Sequence, residues 1–305
     1  MLTLTISKIR INKIIIKPTI CGFFYFQEYL YIMKVKLTES QYKLLKEFQK
    51  RAYSFDWDDN ILMMPTRIHL DYSVNGLAWV PVSVSTEQFR SVRHKLGSEF
   101  RYLNDDISQS FKDFKDYDAF LRDVEEAISY RRFGPSFNKF KEALISGSDF
   151  SIITARSNPP RAIKDGIKYI INNSFKYDEQ KEMENNLKGV TIDEYLNLQD
   201  YHPVSSKEFA NKFGLETSGT NPEEGKKIAF EDFVNRVVDT VSSYQDNDEF
   251  EGISIGFSDD DISNVEVVEK LIEEKLKQKY PDIKFLVYDT SDPDNPKKKR
   301  MIIKK

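Results

Sequence analysis

Three short apolar runs, each closing on polar or acidic residues, constrain this chain more than any other feature. Residues 53–62 read Tyr-Ser-Phe-Asp-Trp-Asp-Asp-Asn-Ile-Leu, an apolar stretch that stops in carboxylates, with Asp56 and Asp58 two residues apart. Phe150-Ser151-Ile152-Ile153-Thr154 ends in a hydroxyl and leads, through Ala155 and Arg156, into a helix start carrying Pro159 and Pro160. Gly252 to Ser258 ends in Asp259, Asp260 and Asp261. Short apolar runs bounded in this way are strands. Side chains alternate along a strand, so Asp56 and Asp58 are expected on one side, converging beyond its tip. In an open parallel sheet, ligands bind at the carboxyl ends of the strands. Carboxylates gathered there repel one another and call for a hard, oxygen-seeking cation such as Mg²⁺. Met singly, each segment is an ordinary strand followed by a polar turn; the constellation lies in all three, in this order.

With these motifs in place, the chain resembles the haloacid dehalogenase-like superfamily of phosphotransferases. Asp56 and Asp58 match its first motif, Thr154 its second, and Asp259-Asp260 with Asn264 its fourth. The third motif is a lysine near the start of a helix, supplied within residues 221–230 by Lys226 or Lys227. Lys226 stands three residues before Ala229 and seven before Phe233, on the face that packs inward, and is preferred. The resemblance covers residues 50–62 and 136–290. Asn60 departs from it by standing where the family usually has Thr or Val, and a third acid, Asp261, extends the fourth motif.

The resemblance implies an α/β fold with a three-layer, Rossmann-like parallel sheet core, built from residues 33–61 and 136–305. An α+β cap, residues 62–135, is expected between the first and second motif strands. It further implies a Mg²⁺-dependent phosphomonoester hydrolase acting through an aspartyl-phosphate on Asp56. Asp58 would protonate the leaving oxygen and then activate water, general acid–base help typically worth ~10²–10⁴-fold. The metal set is Asp56, Asp58 (through its carbonyl), Asp259 and Asp260. Thr154 and Lys226 would stabilise the transferring group, with Arg67, Arg156 and Asn264 as further substrate contacts. The expected substrate is a small phosphorylated metabolite or nucleotide. Two alternatives stand beside it: a phosphatase acting on nucleic-acid ends, and a non-catalytic binding or structural protein that keeps the fold. Taken one at a time, Thr154 is as readily a helix cap, Lys226 a solvated lysine, and the three acids a solvated turn.

Composition narrows the setting. In 305 residues, 40% hydrophobic and 13% aromatic, there is enough apolar material for a packed soluble protein of one large or two modest domains. A net charge of −4 argues against a protein that relies on a basic surface to bind nucleic acid. The single cysteine, Cys21, excludes an internal disulfide and a cysteine-rich zinc site, which makes a reducing cytoplasm the default, a host's if the chain is virus-encoded. His69, His94 and His202 are too scattered to form a metal cluster. No run is long enough for a spanning helix, and nothing in the sequence fixes the oligomeric state.

Residues 1–32, rich in isoleucine, lysine and aromatics, differ in character from the remainder of the chain. Met33 reads as the physiological start, entering a helix capped by Thr38 and Gln41, with Leu44, Leu45 and Phe48 as its apolar stripe. Within the expected cap, Asn75-Gly76 between two alternating runs signals a hairpin. Helices are expected over 86–96, after Ser85, and over 117–132. Arg67, Arg90, Arg93, Arg131 and Arg132 are the arginines that could meet a phosphate or a second anion. Residues 175–221 look polar and irregular, 222–244 helical, 265–279 helical and 283–288 a last strand. The basic residues 297–300 read as a solvated tail.

Overall fold

The computed structural model describes residues 51–215, 221–242, 253–292 and 299–302. The expectations for residues 1–32, the Met33 start and the Thr38–Gln41 cap lie outside the described residues. In chain order the main elements are β1 (Arg51–Phe55), β2 (Ile68–Val74), β3 (Ala78–Val84), α1 (Thr86–Val92), β4 (Phe100–Tyr102), α2 (Tyr117–Ser129), α3 (Phe137–Ile145) and β5 (Asp149–Thr154). They continue with α4 (Pro160–Ser174), α5 (Tyr177–Asn186), α6 (Ile192–Asn197), β6 (Asp200–Pro203), α7 (Lys207–Phe213), α8 (Pro222–Ser242), β7 (Ser254–Asp259), α9 (Ile262–Leu271), β8 (Lys284–Asp289) and β9 (Lys299–Ile302).

The main sheet runs β6-β5-β1-β7-β8-β9, its first five strands parallel and β9 antiparallel at the edge. Its central strands are covered on both faces. Tyr53, Phe55, Phe150 and Ile152 pack on one side with α2, α3, α4 and α6, while Ala52, Ile153, Ile255 and Phe257 pack on the other with α8 and α9. Ile152 and Ile153 are neighbours in sequence, face opposite layers, and are both 0% exposed. That is why the run has no polar alternation: a parallel strand between helical layers is apolar on both faces. Each such side chain contributes about 1.5–3 kcal/mol by leaving water, enough to fix the register.

The chain moves from β1 outward to β5 and β6, then crosses back to β7 and β8 on the other side of β1. The strand order therefore reverses beside β1, and the crevice at its carboxyl end is where such sheets hold ligands. Phe55 aligns with Ile152 of β5 and Ser258 of β7, so the three strands end at a common level.

A second, antiparallel sheet, β3-β2-β4, forms a separate small layer with its own cluster around Ile68, Leu70 and Phe114. The hairpin turns at Asn75 (φ 53°) and Gly76 (φ 70°), both left-handed, as the Asn-Gly pair requires. Ser85 caps α1 reciprocally with Gln88. This layer is narrower than residues 62–135. Phe120, Val124, Ala127 and Ile128 of α2 belong to the main core, because that helix lays its apolar stripe on α4.

Three further expectations change. Within residues 175–221, the described part up to Leu215 is regular: α5, α6, β6 and α7 lie there. The strand β6 carries Asp200, His202 and Pro203, which an edge position tolerates. The helix expected over 265–279 starts earlier, at Ile262 behind an Asp261 cap, and passes through a wider turn at Ile272–Leu276. In the basic run, Lys299 and Arg300 belong to a strand, Lys299–Ile302, that pairs with β8. Among the described residues, no helix is long and apolar enough to cross a membrane.

Candidate functional site

The ends of β1 and β7 are locked together before any functional side chain is placed. The Asp56 amide donates to the Ser258 carbonyl at 2.9 Å. The fully buried Asn60 then returns beneath the strand tips, its Nδ2 donating to the carbonyls of Asp56 and Ser258, both at 3.1 Å. Its Oδ1 accepts from Ser258 Oγ at 3.1 Å and Thr290 Oγ1 at 2.8 Å. The departure at Asn60 is thus filled by an amide that ties three segments. Gly134 runs so close by that a Cβ there would lie 2.4 Å from the Asn60 carbonyl oxygen.

On this platform Asp56, Asp259 and Asp260 converge, each offering a carboxylate oxygen within 4.8 Å of the others. Asp56 shares the strand face of Ala52, the side covered by α8, and so meets Lys226 from the first turns of that helix. Lys226 Nζ lies 2.9 Å from Asp56 Oδ1 and 2.8 Å from Asp259 Oδ2. Burial alone would lower the lysine's proton affinity, but the two carboxylates outweigh it and keep the ammonium charged. Lys227 faces outward and pairs with Glu224, so Lys226 is the lysine that the site contains. Asp259 Oδ1 accepts from Asn264 Nδ2 and the Asp261 amide, each at 2.9 Å.

Asp58 does not join the three acids through its side chain, contrary to the expected convergence with Asp56. It forms a forked pair with Arg156, at 2.8 Å from Nε and 2.7 Å from Nη2. Arg156 is fully buried, stacks on Phe114 and Phe120 at 4.7 and 5.2 Å, and also donates to Thr66 Oγ1. The chain leaves the strand after Phe55, so strict alternation no longer holds for Asp58.

Helix α1 approaches from the small layer. Arg90 pairs with Asp260 and lies 3.8 Å from Asp59, while Arg93 pairs with Asp261 at 3.0 Å. Asp59, in a left-handed conformation (φ 56°), accepts from Thr86 Oγ1. The sequence offers these arginines only as substrate contacts; their grip on the acids has no signal in it. Arg67 is exposed outside the cavity, and Arg132 pairs with Glu126 on the surface.

Asp56, Asp58, Thr154, Arg156, Lys226, Asp260 and Asn264 all line one cavity of about 1010 Å³. Burial drives the Asp56 carboxyl well above its ordinary range, Lys226 opposing and Asp259 and Asp260 adding to the rise. Asp260 is pushed up to about 7, again by burial first and Asp259 second, against Arg90. A divalent cation would relieve both. The donors fit one: three buried carboxylates in reach of a common point, balanced so far by the Lys226 ammonium and by Arg90.

Compared with known proteins, the chain matches no family model, no curated sequence and no solved structure.

Proposed function

We propose that the chain is a Mg²⁺-dependent phosphomonoester hydrolase of the haloacid dehalogenase-like kind, with Asp56 as its nucleophile. The observation that carries this reading is the buried Asp56 carboxylate at the tip of the central strand, 2.9 Å from Lys226 Nζ and clustered with Asp259 and Asp260. A structural acid cluster would gain nothing from such burial, since each uncompensated charge costs several kcal/mol. Strained electrostatics of this sort in a cavity mark reaction centres.

Asp56, the Asp58 carbonyl and Asp260 would hold the ion, with Asp259 supporting them through Lys226 and Asn264. When bound, Mg²⁺ neutralises phosphoryl oxygens and orients the ester. The chain's own groups do the rest. Asp56 attacks phosphorus, forming an acyl phosphate as the ester oxygen leaves. Lys226 and the Thr154 hydroxyl stabilise the equatorial oxygens. Asp58, with one oxygen turned from the Arg156 fork towards the ester and protonated, delivers that proton to the leaving oxygen and afterwards takes one from the water that attacks the acyl phosphate, freeing Asp56 and releasing phosphate. Arg156 is the positioning residue for Asp58: it holds both oxygens at rest and keeps one of them during the reaction. The small layer serves as the cap: Phe89, Arg90 and Arg93 line the same cavity and exclude water.

Release of phosphate from an aryl phosphate, with and without Mg²⁺, tests the reading. Turnover that needs Mg²⁺ and is lost in Asp56→Asn is expected. Equal turnover in wild type and Asp56→Asn would remove Asp56 from its role, and a folded chain inert towards every phosphate ester would favour the non-catalytic alternative.

A further inference from the structure

We propose that the cavity selects phosphate monoesters whose leaving group is a flat aromatic body of nucleoside size, a choice that rests on the hydrolase reading above. The acids and Lys226 account for only part of the cavity's lining. The small layer and the turns beside it add an apolar and aromatic wall: Phe89, Leu96, Tyr102, Ile107, Phe111 and Phe114. Apart from Phe114, these are residues that this layer leaves partly open. Only Ile68, Leu70 and Phe114 of its cluster are fully covered, whereas Phe89, Leu96, Tyr102 and Phe111 are partly open, and Ile107 is 57% exposed. Apolar area left open on a surface is ordinary; gathered along one cavity, it calls for a cover.

The size and kind of that cover are set by the wall. A space of about 1010 Å³ is at the upper end of the ~300–1,000 Å³ usual for small-molecule sites, far more than a phosphoryl group and three carbons need. Phe111 is the hub of the wall, with Phe89 at 5.5 Å and 89°, Phe114 at 5.7 Å and 67°, and Tyr102 at 6.3 Å. Rings arranged edge to face offer both π faces and hydrogen edges, which a further planar ring can meet in offset or edge contact. A sugar phosphate laid on the same wall would bring hydroxyls against hydrocarbon and leave them unpaired. Lys226 and the cation-seeking acids mark where the phosphate sits, and the small layer adds Lys115 and no carboxylate to the lining, charges that suit a nucleotide or the end of an oligonucleotide.

A nucleoside monophosphate and the phosphorylated end of an oligonucleotide share this chemistry, and separate assays distinguish them. The kcat/KM values for 3′- and 5′-nucleoside monophosphates, for 3′- and 5′-phosphorylated oligonucleotides and for ribose 5-phosphate are compared in Mg²⁺. At least one base-bearing substrate is expected to exceed ribose 5-phosphate by about tenfold or more, the effect of stacking one base on an aromatic wall. Phe111→Leu should cut that ratio, mainly through KM, and Phe111→Tyr should restore most of it. Ribose 5-phosphate turned over as well as every base-bearing substrate would overturn the inference while leaving the hydrolase intact. Should no ester be hydrolysed, calorimetric binding to the wild-type chain decides instead. Nucleotide binding weakened in Phe111→Leu would support the aromatic wall and refute the hydrolase, and ribose 5-phosphate binding as tightly as nucleotide would overturn the wall.

Discussion

Arg90 holds the place where a second positive charge is needed, and removing it should tighten metal binding while weakening the metal-free protein. Its guanidinium pairs with Asp260, whose side chain is 6% exposed, while Arg90 itself is 33% exposed. A charge-assisted hydrogen bond contributes about 1.5–3 kcal/mol, and partial exposure puts this one near the lower figure. In Arg90→Ala that stabilisation disappears from the metal-free state, costing about 1.5 kcal/mol and lowering Tm by a few degrees. The same loss unmasks Asp260 for the cation, so the Mg²⁺ dissociation constant should fall about tenfold. Thermal melts with and without Mg²⁺, paired with calorimetric titration of Mg²⁺, read both effects on one preparation. At saturating Mg²⁺ the variant should regain most of its lost stability, because a ligand bound only by the native state stabilises it by mass action. Arg90→Lys, which keeps the charge, should fall between the two. Mg²⁺ binding to Arg90→Ala no tighter than to wild type would refute the idea that arginine and metal compete for Asp260.

Arg156→Lys keeps the charge but loses the fork, so kcat should fall by up to about 100-fold with Mg²⁺ affinity little changed, a split that steady-state kinetics and titration resolve. Gly134→Ala should destabilise by about 1–3 kcal/mol in denaturant melts, because its Cβ would meet the Asn60 carbonyl. Turnover should suffer too, since Asn60 fixes the Asp56 backbone; unchanged stability would mean that the loop relaxes freely. His202 is held down to about 4, chiefly by burial and also by Lys212, against Asp200 and Asp232. Its unfolded form takes a proton first as pH falls below about 6.5, so stability present above that pH drains away towards pH 4, by at most about 3 kcal/mol. His202→Gln should flatten that limb of the stability profile, and an unaltered limb would assign it to other groups.

The layers and the order of motif strands were legible because burial on both faces writes itself as unbroken apolar runs, as at Ile152 and Ile153. That Lys226 rather than Lys227 turns inward was legible for a related reason, its spacing to Ala229 and Phe233. Strand β6 was hidden: an edge strand needs no apolar run, and Asp200, His202 and Pro203 read as loop. Pairings across the molecule were equally silent. Nothing local to Asp58 announces that Arg156, 98 positions away, would take its carboxylate, nor that Arg90 would reach Asp260 across 170 positions. Asn60 gave a partial signal, as a residue out of pattern beside the acids, but its four hydrogen bonds depend on segments brought together only by the fold.

The most direct test of Asp56 is to quench the protein in acid during turnover of a phosphate ester and map the phosphoryl group by mass spectrometry. A Mg²⁺-dependent, hydroxylamine-labile phosphoryl adduct on the peptide spanning Asp56, absent from Asp56→Asn, is the expected result. Turnover with the adduct on another residue, or with the same adduct persisting in Asp56→Asn, would contradict it.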